Sequence, residues 1–267
     1  MHITHDLHVH TYLSSCCSDK AHQIPREILR IAEEMGTTTI GFSDHLWMNP
    51  DVAPSDWYRP QDATQVARLR ADLAQIDTPV RTMVGCEADM RAPGAFSITP
   101  AFAESLDHVL LACSHFHMRD FVVQPASHAP RDVAEHLLAF CASGVTSGLP
   151  TSIAHPFVPL GHIEDLDAIV ASISDAEFTD VFGLAAEHGV ALEITVDYLP
   201  PAPGTGSASF SVETPLRLLT LAKAAGCTFT FGSDAHSPAR LRDLPRLAFF
   251  AGALGLTEAD LHPVVRG

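Results

Sequence analysis

The sequence predicts an α/β protein whose parallel strands form a distorted TIM-like (β/α)7 barrel in a single domain. Three observations predict this fold. Short apolar runs alternate with amphipathic stretches along all 267 residues, loops are long after strands and short after helices, and every predicted strand carries a potential metal ligand near its end. A chain of this length suits one α/β barrel, so we expect one domain over residues 1–267.

The predicted strands are β-branched or apolar runs, and each is followed by a loop and a helical pattern. The strands cover residues 3–10, 38–45, 80–87, 108–115, 151–156, 191–196 and 228–234. The clearest helices cover residues 25–35, 61–75, 131–142, 178–188, 212–225 and 239–252. Pro25 and Pro215 suit first helical turns, and Gly36, Gly189 and Gly226 are typical of the residue just after a helix.

The loop lengths indicate which end of the barrel carries function. Connections from a helix to the next strand are brief, as at 35–37 and 225–227, whereas those from a strand to the next helix are long, as at 46–60, 116–130 and 197–211. Long loops at the carboxyl ends of parallel strands are where barrel enzymes build their sites. We therefore expect the functional site at that end.

The composition argues against several classes of partner. Asp and Glu number 32 against 16 Lys and Arg, which gives a net charge of −16, and there are 16 histidines. Such a chain, without a basic cluster, repels nucleic acid and anionic lipid surfaces. No apolar run approaches the roughly 18 residues of a membrane span, and the first ten residues do not resemble a signal peptide. We expect a cytoplasmic protein whose cysteines, which form no CxxC pair, are reduced in the core, while the state of the adjacent Cys16 and Cys17 in a polar loop stays open.

The ligand residues near the strand ends select a closed sheet. Residues i and i+2 of a strand share a face, so His8 and His10 point together, as do Asp234 and His236. In an open seven-stranded sheet, the outermost ends would lie about 29 Å apart at roughly 4.8 Å per strand, too far to share an ion. Closure brings together the set of potential ligands at the strand ends: Asp6, His8, His10, Asp44, His45, Glu87, His115, His155, Glu193, Asp234 and His236.

The number of donors indicates more than one cation. A catalytic zinc ion uses about three protein ligands, and this set exceeds that number. Glu87 stands alone among imidazoles from neighbouring strands, which is typical of a carboxylate that bridges two cations. Paired cations stabilise the attacking and leaving oxygens and lower the pKa of a bound water. The pattern therefore favours hydrolysis of phosphate esters at two or three divalent metals.

Six motifs in order resemble the polymerase and histidinol phosphatase (PHP) family of metallohydrolases over nearly the whole chain. They are DLHVHT at 6–11, SDH at 43–45, GCE at 85–87, SHF at 114–116, AHP at 154–156 and GSDAH at 232–236. The resemblance implies a trinuclear centre that hydrolyses phosphoesters with a metal-bound hydroxide. It implies three ligand sets: His8, His10, Glu87 and Asp234; Glu87, His115 and His155; and His45 and His236 with a ligand from the loop after His10.

The third set is where this sequence departs from the family. The family has a His or Asp five or six residues after the second His of the first motif, and here those positions are Ser15 and Cys16. Cys16 is our preferred ligand, with Asp19 or a weak or empty site as alternatives. A thiolate favours zinc, whereas the other ligands suit zinc, manganese or iron. Of the ligands, we assign catalytic roles to Glu87, Asp234 and His236, the last two as candidates for proton transfer.

The substrate-binding candidates are fewer. Loop 46–60 contains both tryptophans and one tyrosine, and it either covers the site or only packs on the barrel. Arg59 and Arg119 are candidates for binding phosphate, and His117 for contacting substrate, each with a surface position as the alternative. Glu193 either supports a ligand or faces the substrate. The remaining histidines are expected on the surface or in loops: His2, His5, His22, His108, His128, His136, His162, His188 and His262.

The preferred function is hydrolysis of the phosphomonoester of a small metabolite, similar to the histidinol-phosphatase branch of the family, because the predicted barrel stands alone. A second class, the amidohydrolases, also begins with an HxH strand and often uses a carbamylated lysine. The only lysines, Lys20 and Lys223, do not end strands, which counts against that version. A third possibility is a non-catalytic module stabilised by metal. The sequence leaves the oligomeric state open.

Overall fold

The strands of the computed structural model, which describes residues 1–200 and 210–266, form two sheets. The first contains, in spatial order, β1 (His5–Val9), β2 (Thr39–Phe42) and β3 (Arg81–Val84). The second contains, in spatial order, β5 (Ala95–Phe96), β4 (Cys86–Ala92), β6 (Val109–Ala112), β7 (Ser152–Ala154), β8 (Ala191–Thr195) and β9 (Phe229–Gly232). Every pair is parallel except β4 with β5.

The two sheets adjoin at both ends of the strand order. The predicted strand 80–87 is divided at Gly85, so β3 pairs with β2 while β4 pairs with β6. A Cβ atom at Gly85 would collide with His108, so only glycine permits this close crossing. At the opposite edges, the His10 amide donates to the Ala235 carbonyl (3.1 Å) and the Ala235 amide donates to the His8 carbonyl (3.3 Å). The carboxyl ends of β1, β4 and β9 therefore come close together.

Helices follow the strands, as the alternation predicts. They are α1 (Pro25–Met35), α2 (Ala63–Leu73), α3 (Pro100–Ala103), α4 (Pro130–Val145), α5 (Leu166–Ala171), α6 (Asp175–Glu187), α7 (Glu213–Ala224), α8 (Pro238–Leu241) and α9 (Ala248–Ala253). Helix α1 buries Ile28, Leu29 and Ile31 and ends at Gly36, whose φ of 73° lies in the left-handed region. Within the described residues, none of the helices has both the length and the apolar character that crossing a membrane requires.

The structure differs from the prediction at several helices and at one hairpin. Helices α3 and α5 are not predicted. The predicted helix 239–252 is broken into α8, a 3-10 turn (Leu244–Leu247) and α9, because Pro245 lacks an amide hydrogen to continue a helix. Helix α6 begins earlier than predicted, because Ser174 and Glu177 form a capping box. The β4–β5 hairpin is not predicted. Part of the predicted loop 197–211 lies outside the described residues.

A continuous apolar core lies between the helices and the strands. It extends from Ile3 to Val265 and includes residues of every parallel strand. Leu7 and Val9 of β1 face this core, whereas His8 and His10 belong to the opposite face, as the two-residue period predicts. The core thus holds the strands that carry the polar residues at their carboxyl ends.

Candidate metal centre

Glu87 lies at the centre of a cluster of histidines at the carboxyl ends of the strands. Its Oε2 atom lies 3.3 Å from the Nε2 atoms of both His8 and His10 and 3.4 Å from that of His45. Its Oε1 atom lies 2.9 Å from His155 Nε2 and 3.4 Å from His115 Nε2. Each carboxylate oxygen therefore faces a different group of imidazoles.

Three groups of donor atoms are close enough to hold a cation. The first consists of His8, His10, Glu87 and Asp234, the second of Glu87, His115 and His155, and the third of His10, Cys16 and His236. The first two groups are the sets that the motifs imply. The third differs from the implied set, because it contains Cys16 and His236 with His10 in place of His45.

Most of the imidazoles are held by a partner on their second ring nitrogen. His8 Nδ1 lies 2.8 Å from Glu193 Oε1, and His155 Nδ1 lies 3.0 Å from Ser114 Oγ. A Cβ atom at Gly232 would collide with the Glu193 carboxylate, so the glycine of the last motif leaves room for this support. Hydrogen bonds of this kind fix the orientation of histidines that ligate metals. They leave the Nε2 atoms facing the centre of the cluster.

Asp89 is a functional residue that the sequence analysis missed. It is buried, and its two carboxylate oxygens lie 2.6 Å from His115 Nδ1 and 3.0 Å from His45 Nδ1. One side chain thus orients imidazoles from two different strand ends. The signal was present, because Asp89 follows Glu87 by two residues on one strand and so shares its face.

The atoms of the cluster fit divalent cations. His8 Nε2 and His10 Nε2 lie 3.2 Å apart, and His115 Nε2 and His155 Nε2 lie 3.3 Å apart. At these distances the nitrogen lone pairs of two neutral imidazoles repel each other unless a positive charge lies between them. The buried Asp234 Oδ1 has no hydrogen-bonding partner, although it lies 3.2 Å from His10 Nε2. Orphaned carboxylate oxygens and paired imidazoles are the donors that zinc, manganese and iron take in proteins.

The protonation of these side chains shows the same need for positive charge. Burial lowers the pKa of His8, but the carboxylates of Glu193 and Asp234 outweigh burial and raise that pKa well above its usual value. Burial raises the pKa of Glu87, but His45 and His8 outweigh it and hold the pKa well below its usual range. Without a cation, protons on the imidazoles must neutralise the buried carboxylates.

Two residues of the cluster have an unfavourable backbone conformation. His155 has a φ of 28° and Asp234 a φ of 50°, in the left-handed region that residues other than glycine rarely adopt. Such conformations cost on the order of 1–3 kcal/mol each and occur mostly at functional sites. At His155, the backbone amide donates to Glu193 Oε2 at 2.6 Å, which helps to hold this conformation.

Cys16 lies at the outer edge of the cluster. Its Sγ atom lies 3.0 Å from Ser14 Oγ and 3.5 Å from His10 Nδ1. Burial raises the pKa of Cys16, but the nearby His10 and His45 lower it to about 3, so the side chain is a thiolate. In contrast, the other candidate of this loop, Asp19, pairs with the exposed His22 and does not belong to any of the three groups.

A cavity of about 390 Å³ opens above the cluster. Its lining residues are Cys16, His45, Trp57, Tyr58, Glu87, His115, His117, Met118, Leu160, Asp234 and His236. His117 thus lines the cavity, whereas the structure does not bring Arg59 or Arg119 there. The Arg59 side chain is 68% exposed and pairs with Asp56, and Arg119 is exposed. Loop 46–60 contributes Trp57 and Tyr58 to the cavity and also packs on the barrel through the buried Trp47.

Some histidines and both lysines lie away from the cavity. His5 in β1 and His108 beside β6 are buried, so the expectation that they lie on the surface or in loops was wrong, whereas His162 lies in a loop and is buried there. Within the interior, His5 Nε2 accepts from the Phe231 amide and His108 Nε2 lies 3.1 Å from the Leu7 carbonyl oxygen. Lys20 donates to backbone carbonyls of the loop after β1 and Lys223 to carbonyls after α9, so neither can bridge cations in this cluster.

The parallel α/β fold carries, at its strand ends, groups of His and carboxylate donors that could hold divalent metals. Residues 6–195 match the model of the PHP domain family, so this chain belongs to that family and the predicted resemblance is confirmed. A protein of Vibrio atlanticus (strain LGP32) described as a probable phosphatase is 28% identical over 262 residues, which cover 98% of this chain and 89% of that protein.

Solved structures show the same fold. Histidinol phosphate phosphatase from Lactococcus lactis subsp. lactis, complexed with zinc, L-histidinol and phosphate, matches with a TM-score of 0.54 at 17% identity and covers 93% of this chain and 94% of its own. An uncharacterized protein matches with a TM-score of 0.50 at 15% identity and covers 96% of this chain and 70% of its own. At these identities, the likeness concerns the fold alone.

Proposed function

We propose that this protein hydrolyses the phosphate monoester of a small metabolite at a centre of two to three divalent transition metals. The position of Glu87 carries the proposal, because each of its two oxygens faces a separate group of imidazole Nε2 atoms. A carboxylate in this position suits a pair of cations that share it. The names of the Vibrio atlanticus relative and of the Lactococcus lactis structure support phosphate-ester chemistry.

The three donor groups supply the cation sites of the proposal. His8, His10, Glu87 and Asp234 would hold one cation; Glu87, His115 and His155 would hold the second; and Cys16, His236 and His10 or His45 would hold the third. When bound, such cations neutralise charge on phosphoryl oxygens and lower the pKa of water to near neutrality. Zinc suits the set with the thiolate, and zinc, manganese or iron suits the other two.

The residues of the chain orient these ligands and enclose the reaction. Asp89 and Glu193 fix the imidazoles in position before substrate arrives, which avoids reorganisation during the reaction. Asp234 and His236 both line the cavity; we assign them first to the cations as ligands, and they are the candidates for moving a proton during the reaction. The phosphate end of the ester lies toward Glu87 in this arrangement.

The proposal includes a closed (β/α)7 barrel in one domain. The parallel bridge between Val9 and Ala235 and the division of one strand at Gly85 support a ring of strands around the ligands. It also includes a small partner, because a net charge of −16 repels a long polyanion while cations at the strand ends attract a small phosphate ester.

Phosphate release tests this function. Purified protein stripped with a chelator and reloaded with zinc, manganese or iron is assayed with histidinol phosphate, nucleotides, sugar phosphates and aryl phosphates. We expect hydrolysis of at least one monoester, its loss in chelator, and its return with metal. Turnover of amides or lactones without any phosphatase activity would instead identify an amidohydrolase, and inactivity on all substrates of a protein with full metal content would indicate a non-catalytic module.

A further inference from the structure

The walls of the cavity differ in chemistry from its floor. The floor consists of ligand side chains, among them Glu87, His115 and Asp234. Four other lining residues, which we call the apolar wall, are Trp57, Tyr58, Met118 and Leu160, and the remaining lining residue is the exposed His117. A molecule that fills the cavity therefore has one end among charged ligands and the other against aromatic, thioether and aliphatic groups.

Within the apolar wall, Tyr58 is packed in the interior and Trp57 is partly exposed to solvent. Tyr58 is buried, and its hydroxyl lies 3.2 Å from the Met118 sulfur. The ring of Trp57 stands edge-on to Tyr58 with 4.7 Å between centroids, and edge-on to His45 at 5.3 Å. Trp57 nevertheless remains 37% exposed. Its uncovered ring surface is available to a ligand.

The charges around the cavity are confined to the floor. Of the residues that the structure describes, no lysine or arginine lines the cavity, and the only carboxylates that do are Glu87 and Asp234. Both carboxylates are surrounded by imidazoles. A second phosphate or a carboxylate beside the apolar wall would therefore lose its hydration without gaining a counter-ion, and a row of hydroxyls would lose hydrogen bonds to water.

We propose that the organic group of the substrate is aromatic or apolar without a second anionic group, and that Trp57 is the residue that selects it. The inference rests on the proposed function, because the phosphate end must occupy the floor for the organic group to reach Trp57. It favours small aryl or alkyl phosphates over sugar phosphates, nucleotides and phosphoesters that carry a carboxylate. The volume of about 390 Å³ limits the group to roughly one ring system.

Binding tests the inference without any need for turnover. Calorimetry on zinc-loaded protein compares phenylphosphonate with methylphosphonate, which share the anionic end and differ only in the organic group. We expect phenylphosphonate to bind at least about tenfold more tightly, the gain of one aromatic contact together with its buried area. Trp57→Ala should abolish the difference and Trp57→Phe should retain most of it. Equal binding of the two ligands to the native protein would overturn the inference.

Turnover separates this inference from the proposed function. With phenyl phosphate, glycerol phosphate and phosphoglycolate, we expect the highest kcat/KM for phenyl phosphate and a Trp57→Ala effect mainly on its KM, at unchanged metal content. Phe249→Ala is the control, because Phe249 is also a large exposed aromatic residue but does not line the cavity. Hydrolysis of all three esters without preference overturns the inference alone. Tighter phenylphosphonate binding with no hydrolysis of any ester overturns the function and leaves the inference standing.

Discussion

The inner and outer donor groups of the site differ in how their ligands are held. The inner groups share Glu87, and their imidazoles are fixed from behind, as His8 is by Glu193 and His155 by Ser114. In the outer group, Cys16 belongs to a loop. The His236 side chain is 32% exposed, and its Nδ1 atom lies near the backbone oxygen and the carboxylate of Asp234, two residues earlier. The inner groups are therefore preorganised for cations, whereas the outer group must adjust to bind one.

Loss of the shared carboxylate should have the largest effect. Glu87→Gln keeps the size of the side chain but removes the negative charge between two imidazole groups. We expect at least one cation to be lost per chain and kcat/KM to fall roughly 10³-fold, because several kcal/mol of cation stabilisation of the transition state are lost. Elemental analysis and phosphate release measure both effects. Glu135→Gln, at an exposed glutamate, is the control, and near-native activity with full metal content in Glu87→Gln would refute the bridging role.

Loss of support behind the inner ligands should have an intermediate effect. In Asp89→Asn, the amide oxygen can accept from only one of His45 and His115, so the other imidazole loses its orientation. We expect metal affinity or activity to fall about 10- to 100-fold, the usual effect of such partners. Competition with a chromogenic chelator gives the affinity. Asp72→Asn is the control, because the Asp72 carboxylate accepts a hydrogen bond from the Tyr12 hydroxyl away from the cluster. Its metal affinity and activity should match those of the native protein.

Change in the outer group should have a smaller effect. Cys16→Ser replaces a thiolate by a neutral hydroxyl, which binds zinc poorly. We expect the two inner cations to remain, occupancy of the third to fall, and kcat/KM to decrease by less than about tenfold, since the inner groups supply most of the charge. Cys17→Ser changes the adjacent thiol and serves as the control. An unchanged metal content in Cys16→Ser would remove Cys16 from the ligands, and loss of all cations would contradict the independence of the inner groups.

The buried interior beneath the inner groups should affect stability alone. Burial lowers the pKa of His108 to about 4, from an ordinary value of 6.5. Because the folded state resists protonation, this group's contribution is complete above pH 6.5 and is lost as the pH falls toward 4, by about 3 kcal/mol in total. His108→Gln should unfold with a shallower pH dependence over that range and show near-native activity at pH 8. Urea unfolding of metal-free protein at several pH values measures it, and identical slopes for both proteins would disprove it.

The sequence predicts the inner groups better than the outer one. The two-residue period of a strand assigns His8 and His10 to one face, and the order of motifs brings Glu87 between them and His155. That period does not give distances between loops. The third donor group therefore differs from the expected one: the structure groups Cys16 with His10 and His236, while His45 pairs with Asp89. Asp89 was not predicted because it lies after the GCE motif at 85–87, although the two-residue period of the strand applies to it as well.

Contacts between side chains that are far apart in the chain could also not be predicted from the sequence. The burial of His108 depends on a glycine of β2 and on the glycine between β3 and β4, since a Cβ at Gly41 or Gly85 would occupy its place. The break in the last predicted helix was, in contrast, visible as Pro245, whose missing amide hydrogen outweighs the apolar periodicity around it. The local effect of a proline on a helix could thus be predicted from the sequence, whereas contacts across the sheets could not.

Anomalous scattering from crystals of the zinc-loaded protein tests the central claim most directly, because it locates each cation. We predict two strong peaks, one beside each oxygen of Glu87: the first among His8, His10 and Asp234, and the second between His115 and His155. A weaker third peak is expected beside Cys16 and His236. A single peak, or Glu87 oxygens bonded only to protonated imidazoles in crystals grown with excess zinc, would contradict the account.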